Sequence, residues 1–179
     1  MELFEAIEKR HSYRGGFRNE AVSKEDLRKI AAAGLAAPSG CNAQTTRFVI
    51  VDDQAILAKI CAMHTTNAAM QQAKAMIVCI VDKEPPAVYE NKSFAIEDCS
   101  AAVENMLLAI TALGYASVWI DGWLRVEGRA EKIGELLNVP ETKIVRIILP
   151  IGYPAEEVTA REKLPFEKRA WFNGYQRQE

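Results

Sequence analysis

The sequence predicts a layered domain of α-helices and β-strands. Three observations carry that reading. Apolar runs of strand length alternate with stretches of helical period. The run Ala75 to Val81 (AMIVCIV) is apolar on both faces, as a strand covered on both sides must be. Phe94 to Leu113 is apolar around most of its circumference, the pattern of an enclosed helix.

Taken in order, Leu3, Phe4 and Ile7 recur at helical spacing, so residues 2–10 read as a short helix. Ser23 is placed to cap a second helix. Glu25 and Asp26 favour its first turn, Leu27, Ile30, Ala31 and Gly34 form its face, and Pro38 ends it. Arg47 to Val51 (RFVIV) is a short strand, followed by a turn at Asp52-Asp53 and an amphipathic stretch with Ile56, Leu57 and Ile60. The strand Ala75 to Val81 leads into residues 82–93 (DKEPPAVYENKS), an exposed loop by its prolines and charges. That loop is long enough to act as a cover, with Tyr89 and Phe94 flanking it. The long helix Phe94 to Leu113 stops at Gly114. A strand over Ser117 to Ile120, a helix over Val126 to Leu137 and a strand over Lys143 to Leu149 complete the pattern.

Length and composition set the class. The chain has 179 residues, 49% hydrophobic and 26% charged, which fits one globular domain spanning 1–179. Residues 152–179 differ in kind, carrying Phe166, Trp171, Phe172 and Tyr175 without a periodic core, so they need another surface, in the same chain or a second copy. With 22 basic and 24 acidic residues there is no bulk positive charge to hold a nucleic acid. The segment 101–120 is broken by Glu104 and Asn105 and is too polar for a membrane span. The start, MELFEAIEKR, lacks the basic-then-apolar order of a secretory signal. Cys41, Cys61, Cys79 and Cys99 are far apart in sequence and form no Cys-x-x-Cys pair. They read as free thiols in a reducing cytoplasm, not as metal ligands or a dithiol centre.

Four short segments hold candidate chemistry. Arg10-His11-Ser12-Tyr13-Arg14 offers two guanidiniums and a hydroxyl to a phosphate, although basic groups at a helix end also balance its dipole. Residues 37–44 (APSGCNAQ) are an ordinary turn or a loop presenting amide donors to a heteroaromatic ligand. Residues 114–123 (GYASVWIDGW) are a strand ending in Asp121-Gly122, either a plain turn or a backbone amide exposed to a ligand. Arg161 and Lys163, two apart, are solvated charges or, in an extended tail, two cations on one side. The remaining candidates have plain structural readings: His64 as a surface or loop residue, Cys41 as a small filler, Trp119 and Trp123 as strand-end core aromatics.

In this order and register the four segments resemble the flavin-dependent nitroreductase family, in its shorter members, from Leu3 to Phe172. Residues 10–14 are similar to the family's Arg-Arg/His-Ser-x-Arg/Lys signature, and 37–44 to its Ala-Pro-Ser-x-x-Asn-x-Gln loop. Asp98 to Leu113 resembles its long central helix, Ile120-Asp121-Gly122 its Ile-Glu-Gly strand end, and Leu149 to Pro154 its Gly-Tyr-Pro strand exit. Two departures stand out. Thr45-Thr46-Arg47 follows Gln44 where Pro-Trp is common, and Asp121 replaces Glu.

The resemblance implies an α+β sandwich, a mostly antiparallel central sheet flanked by helices, with a C-terminal tail that wraps the partner of a homodimer. It implies FMN as cofactor, NADH or NADPH as donor, and a small electron-poor acceptor such as a nitroaromatic or quinone, exchanged in ping-pong fashion. Arg10, Ser12, Arg161 and Lys163 would then gather at the flavin phosphate, with His11 either assisting through a ring N–H or simply packing at the helix end, and Arg14 at the ring edge that gains charge on reduction. Pro38, Ser39 and Asn42 would approach the ring or ribityl chain. Gly122 would offer its N–H to N5, with Asp121 beside it. The flavin carries the reaction, so no catalytic acid, base or metal is called for. The alternatives are a specialised reduction such as dehalogenation, or a flavin-binding sensor with little turnover.

Overall fold

The computed structural model describes residues 1–175. Its centre is a four-stranded antiparallel sheet. The strands are β1 (Arg47–Val51), β2 (Ala75–Asp82), β3 (Ala116–Ser117) and β4 (Lys143–Gly152), in the spatial order β1-β2-β4-β3. The helices are α1 (Leu3–Lys9), α2 (Lys24–Leu35), α3 (Gln54–Cys61), α4 (Ala68–Gln71), α5 (Ala95–Ala112) and α6 (Arg129–Leu136).

β2 shows why both of its faces had to be apolar. Met76, Val78 and Ile80 enter a core closed by Leu57 and Ile60 of α3 and Ile133 of α6. Ala75, Ile77, Cys79 and Val81 enter a second core with Leu27 and Ile30 of α2 and Val103, Met106 and Ile110 of α5. The sheet is thus the middle of three layers; on its second face α5 packs beside α2 with α1 against it, and Ile96, Glu97 and Glu104 of α5 stay exposed. Ser23 caps α2 by accepting the Asp26 N–H at 3.0 Å, and Asp53 caps α3 through the Ala55 and Ile56 N–H groups.

The strand expected over Ser117 to Ile120 is reduced to β3 and one further bridge, Ile120 with Ile148. The cause lies in β4. Ile120 and Ile148 exchange both backbone hydrogen bonds, at 3.1 and 3.0 Å. Two positions along, the next hydrogen-bonding pair would be Val118 with Pro150, and proline has no N–H to give. Register is nonetheless kept, since Ser117 pairs with Ile151 beyond the gap.

β4 itself runs three residues past the expected Leu149 and carries a bulge. Cys79 pairs with Ile147 and Ile80 with Val145, so Arg146 is an extra residue without a partner in β2. The parity of β4 changes there: Ile147, Leu149 and Ile151 face one core, whereas Val145 joins the other. The helix expected over Val126 to Leu137 starts late. Residues 122–125 form a 3-10 turn, Val126 is extended, and Glu127 and Gly128 have φ of +58° and +65°, so α6 begins only at Arg129. The single turn α4, capped by Asn67, lay outside the periodic pattern.

Candidate functional site

α1 ends at Lys9, and the segment 10–14 leaves it extended. Tyr13 pins that segment. Its N–H donates to the Ser117 carbonyl at 2.9 Å, its buried ring stacks on Phe17, and its hydroxyl accepts the Ala155 N–H at 3.2 Å. Ser12 is left half-buried and Arg14 exposed. Arg10 forms an ion pair with Glu104 of α5 at 3.2 Å. His11 Nδ1 lies 2.9 Å from the Lys9 carbonyl. A carbonyl only accepts, so Nδ1 donates, while Nε2 is enclosed and without a partner among the described residues. Arg10 and His11 line a cavity of about 350 Å³ with Tyr13, Leu107, Tyr115 and Ser117.

The loop between α2 and β1 is more constrained than an ordinary turn. Cys41, Asn42 and Gln44 all take left-handed backbone, with φ of +50°, +54° and +50°. Asp98, buried in the first turn of α5, holds the loop from inside by accepting the Gly40 N–H and the Thr45 hydroxyl, each at 2.8 Å. Ser39 Oγ accepts the Gln44 N–H at 3.0 Å. Pro38 and Ser39 border a second cavity, of about 580 Å³, with Leu35, Thr45, Thr46 and Asp98. Thr45, which departs from the family pattern, is thus part of the loop's anchor. Cys41 is exposed, whereas Cys79 of β2 and Cys99 of α5 are buried free thiols that meet across the sheet–helix interface.

Beyond β3, Asp121 is no exposed turn carboxylate. Arg125 reaches it with two bonds, at 2.6 and 2.7 Å, and Arg146 of β4 with a third. Burial pushes this carboxyl up, but the two guanidiniums override it and hold it below the ordinary carboxylate value. Gly122 opens the 3-10 turn with open space where a Cβ would stand, and its N–H has no partner among the described residues. Trp123 follows. His64 lies 4.7 Å from its ring and the Arg129 guanidinium 4.9 Å over it. His64 thus lies in the loop between α3 and α4, as one of its two readings had it, but it is buried and not on the surface, and its Nδ1 accepts from the Thr66 and Asn67 N–H groups.

Arg161 and Lys163 lie in the exposed tail. Among the described residues no hydrogen bond or ion pair links them to Arg10, Ser12 or Arg14, which themselves form one short strip. The tail's aromatics pair with one another, Phe166 with Phe172 and Trp171 with Tyr175, and Phe172 remains 82% exposed. Phe4 of α1 is 78% exposed. Residues that carry charge or anchoring at the site but had no assigned role are Arg146, Arg125 and Asp98. A single Arg within KIVRIIL was the visible signal for the first of these.

The antiparallel sheet between helical layers, with a loop, a strip and a strand end at its rim, is an α+β architecture seen in solved flavoproteins. An FMN-dependent nitroreductase of Clostridium difficile superposes with a TM-score of 0.80 at 32% identity, covering 96% of this chain and 99% of that one. A protein of Desulfovibrio desulfuricans assigned as a nitroreductase and solved with FMN gives 0.77 at 29% identity, covering 98% and 99%. In sequence, the chain is 36% identical over 141 residues to an Archaeoglobus fulgidus protein assigned as an NADH dehydrogenase/NAD(P)H nitroreductase, covering 79% of each. The model of the nitroreductase family matches residues 7–63 and 61–153. The chain belongs to the nitroreductase family.

Proposed function

We propose that this protein is an FMN-dependent NAD(P)H oxidoreductase that passes electrons to small electron-poor acceptors such as nitroaromatics or quinones. The observation that carries this reading is Gly122: an N–H at a strand end without a partner among the described residues, on a residue with open space where a Cβ would stand. That is the donor the N5 atom of a flavin requires. The cations fit as well. Arg14, Arg161 and Lys163 have no ion pair among the described residues, so their charge is available to a phosphate or a reduced ring. Bound FMN supplies the hydride chemistry, accepting and donating at N5.

The chain's own residues bind and orient. Ser12 and Arg14 present a hydroxyl and a cation on the strip pinned by Tyr13. Pro38, Ser39 and Asn42 offer a stiff wall, braced through Asp98. Arg161 and Lys163 bring charge from the tail. His11, whose Nδ1 is taken by the Lys9 carbonyl, would reach a phosphate only through Nε2. The exposed faces of α1 and the tail support a homodimer in which each tail lies on the partner. Alternate occupation of one flavin face by nicotinamide and acceptor gives ping-pong kinetics.

An anaerobic spectral titration tests the reading. A yellow protein bleached by NADH or NADPH and recoloured by a quinone or nitroaromatic supports it. Protein that takes up no flavin, or a flavin bleached only by dithionite, overturns it.

A further inference from the structure

Arg146 occupies an unusual place. It is the extra residue of the bulge in β4, excluded from the ladder with β2. Its side chain is only 17% exposed, in a strand whose residues after Lys143 are otherwise all apolar. Counting on from the pairs Ser117 with Ile151 and Ile120 with Ile148, the residue opposite Arg146 in register is Gly122. Bulges re-aim side chains at sheet ends, and this one directs a guanidinium onto the Asp121 carboxylate. Asp121 has φ −134° and ψ −66°, outside both helix and strand, and its carbonyl accepts the Leu124 N–H that closes the 3-10 turn. Arg125 also binds Asp121, but from an exposed side chain within the same turn, so it cannot tie that turn to the sheet.

We propose that Arg146 is the positioning residue of the Gly122 turn: through Asp121 it fixes the orientation of the Gly122 N–H and neutralises the carboxylate beside it. This rests on the flavin reading above. Two consequences separate it from plain structural support. Without Arg146 the turn keeps its backbone bonds to β4 and the packing of Leu124 beside Val145 and Ile148, but no polar side chain orients its first residues, and FMN loses a fixed donor. The Asp121 charge is then offset only by a solvent-exposed Arg125, and negative charge near the ring disfavours the reduced flavin.

The test uses the full-length protein, with FMN affinity read by quenching of flavin fluorescence and the midpoint potential by dye-linked spectral titration. Arg146→Gln is expected to weaken FMN binding about tenfold and to move the potential downward. Arg146→Lys keeps the charge without the planar fork, so its potential stays near wild type while affinity falls part of the way. The double variant Asp121→Asn/Arg146→Gln is expected to recover the potential but not the affinity. Should Arg146→Gln not fold, Asp121→Asn carries the test through a raised potential. A flavin-loaded wild type whose variants match it in both affinity and potential overturns this inference alone. A wild type that binds no FMN overturns the flavin reading and this inference with it.

Discussion

The two carboxylate oxygens of Asp98 divide between two partners on one loop: Oδ1 accepts the Gly40 N–H and Oδ2 the Thr45 hydroxyl, each at 2.8 Å. The loop between them carries three non-glycine residues in left-handed backbone, a conformation that persists only where its surroundings over-determine it. Asp98→Ala leaves both donors facing a buried void. It is expected to cost about 1.5–3 kcal/mol, the range for hydrogen bonds to a charged group, measured by urea unfolding. Thr45→Val removes one arm and is expected to cost about 1 kcal/mol in the same assay. A stability unchanged in Asp98→Ala counts against the anchor.

The tail offers a second prediction. Residues 160–179 contain Arg161, Lys163 and the exposed aromatic pairs, whereas Ala155, which donates to the Tyr13 hydroxyl, lies before them. Deleting 160–179 is expected to give a monomer by light scattering and to strip the flavin absorbance. A truncated dimer that stays yellow contradicts the assignment of the tail to partner and phosphate.

His64 makes stability depend on pH. Burial, and then the charge of Arg129, push its pKa below the ordinary histidine value. In the unfolded chain the same imidazole titrates near the ordinary value, about 6.5. Between the folded and unfolded values the unfolded chain binds more protons, so acid favours unfolding. Stability from this group is complete above about pH 7.5 and declines as pH falls through 6.5 toward the folded pKa. It then levels off. Asp26 and Asp121, both held below the ordinary carboxylate value, lose their contribution only in more acidic solution. Urea midpoints from about pH 8 to pH 5 are expected to fall in wild type and to flatten in His64→Asn. Equal slopes in the two proteins count against it.

Tyr115 ties the end of α5 to α2. Its hydroxyl donates to Asp26 Oδ2 at 2.9 Å and accepts from the Tyr153 hydroxyl at 3.3 Å. Burial, then the Tyr153 and Asp26 bonds, push this phenol well above the ordinary tyrosine range. Tyr115→Phe is expected to cost about 1–2 kcal/mol in unfolding free energy. In an alkaline ultraviolet titration, the late-ionising phenolate of wild type disappears from the variant. A titration indistinguishable from wild type opposes this.

Much of the fold was legible because burial enforces period. β2, α2 with its Ser23 cap and most of α5 follow directly from residue pattern. What escaped depends on backbone geometry or on distant partners. The strand after Gly114 looks continuous by propensity, yet Pro150, on a neighbouring strand, decides its pairing. The helix after Val126 looks continuous because Gly128 is tolerable inside a helix, whereas its left-handed φ places it outside. At the site, residue types carried by the chain itself were readable: the strip at 10–14, the loop at 37–44 and the Asp121-Gly122 turn. Arg146 and Asp98 were not, because each acts on a residue 25 or 58 positions away, and only the folded register brings them there. The contact of Cys79 with Cys99 is of the same kind.

The missing N–H of Pro150 also shapes how one sheet boundary meets other molecules. β3, at that boundary, offers two paired residues, then a gap, then one bridge. An incoming extended chain finds no unbroken row of donors and acceptors to copy, and short outer strands of this kind resist growth of the sheet from one molecule into the next. The outward carbonyl of Ser117 is moreover already taken by the Tyr13 N–H, so little free edge is left there for a neighbouring molecule to extend.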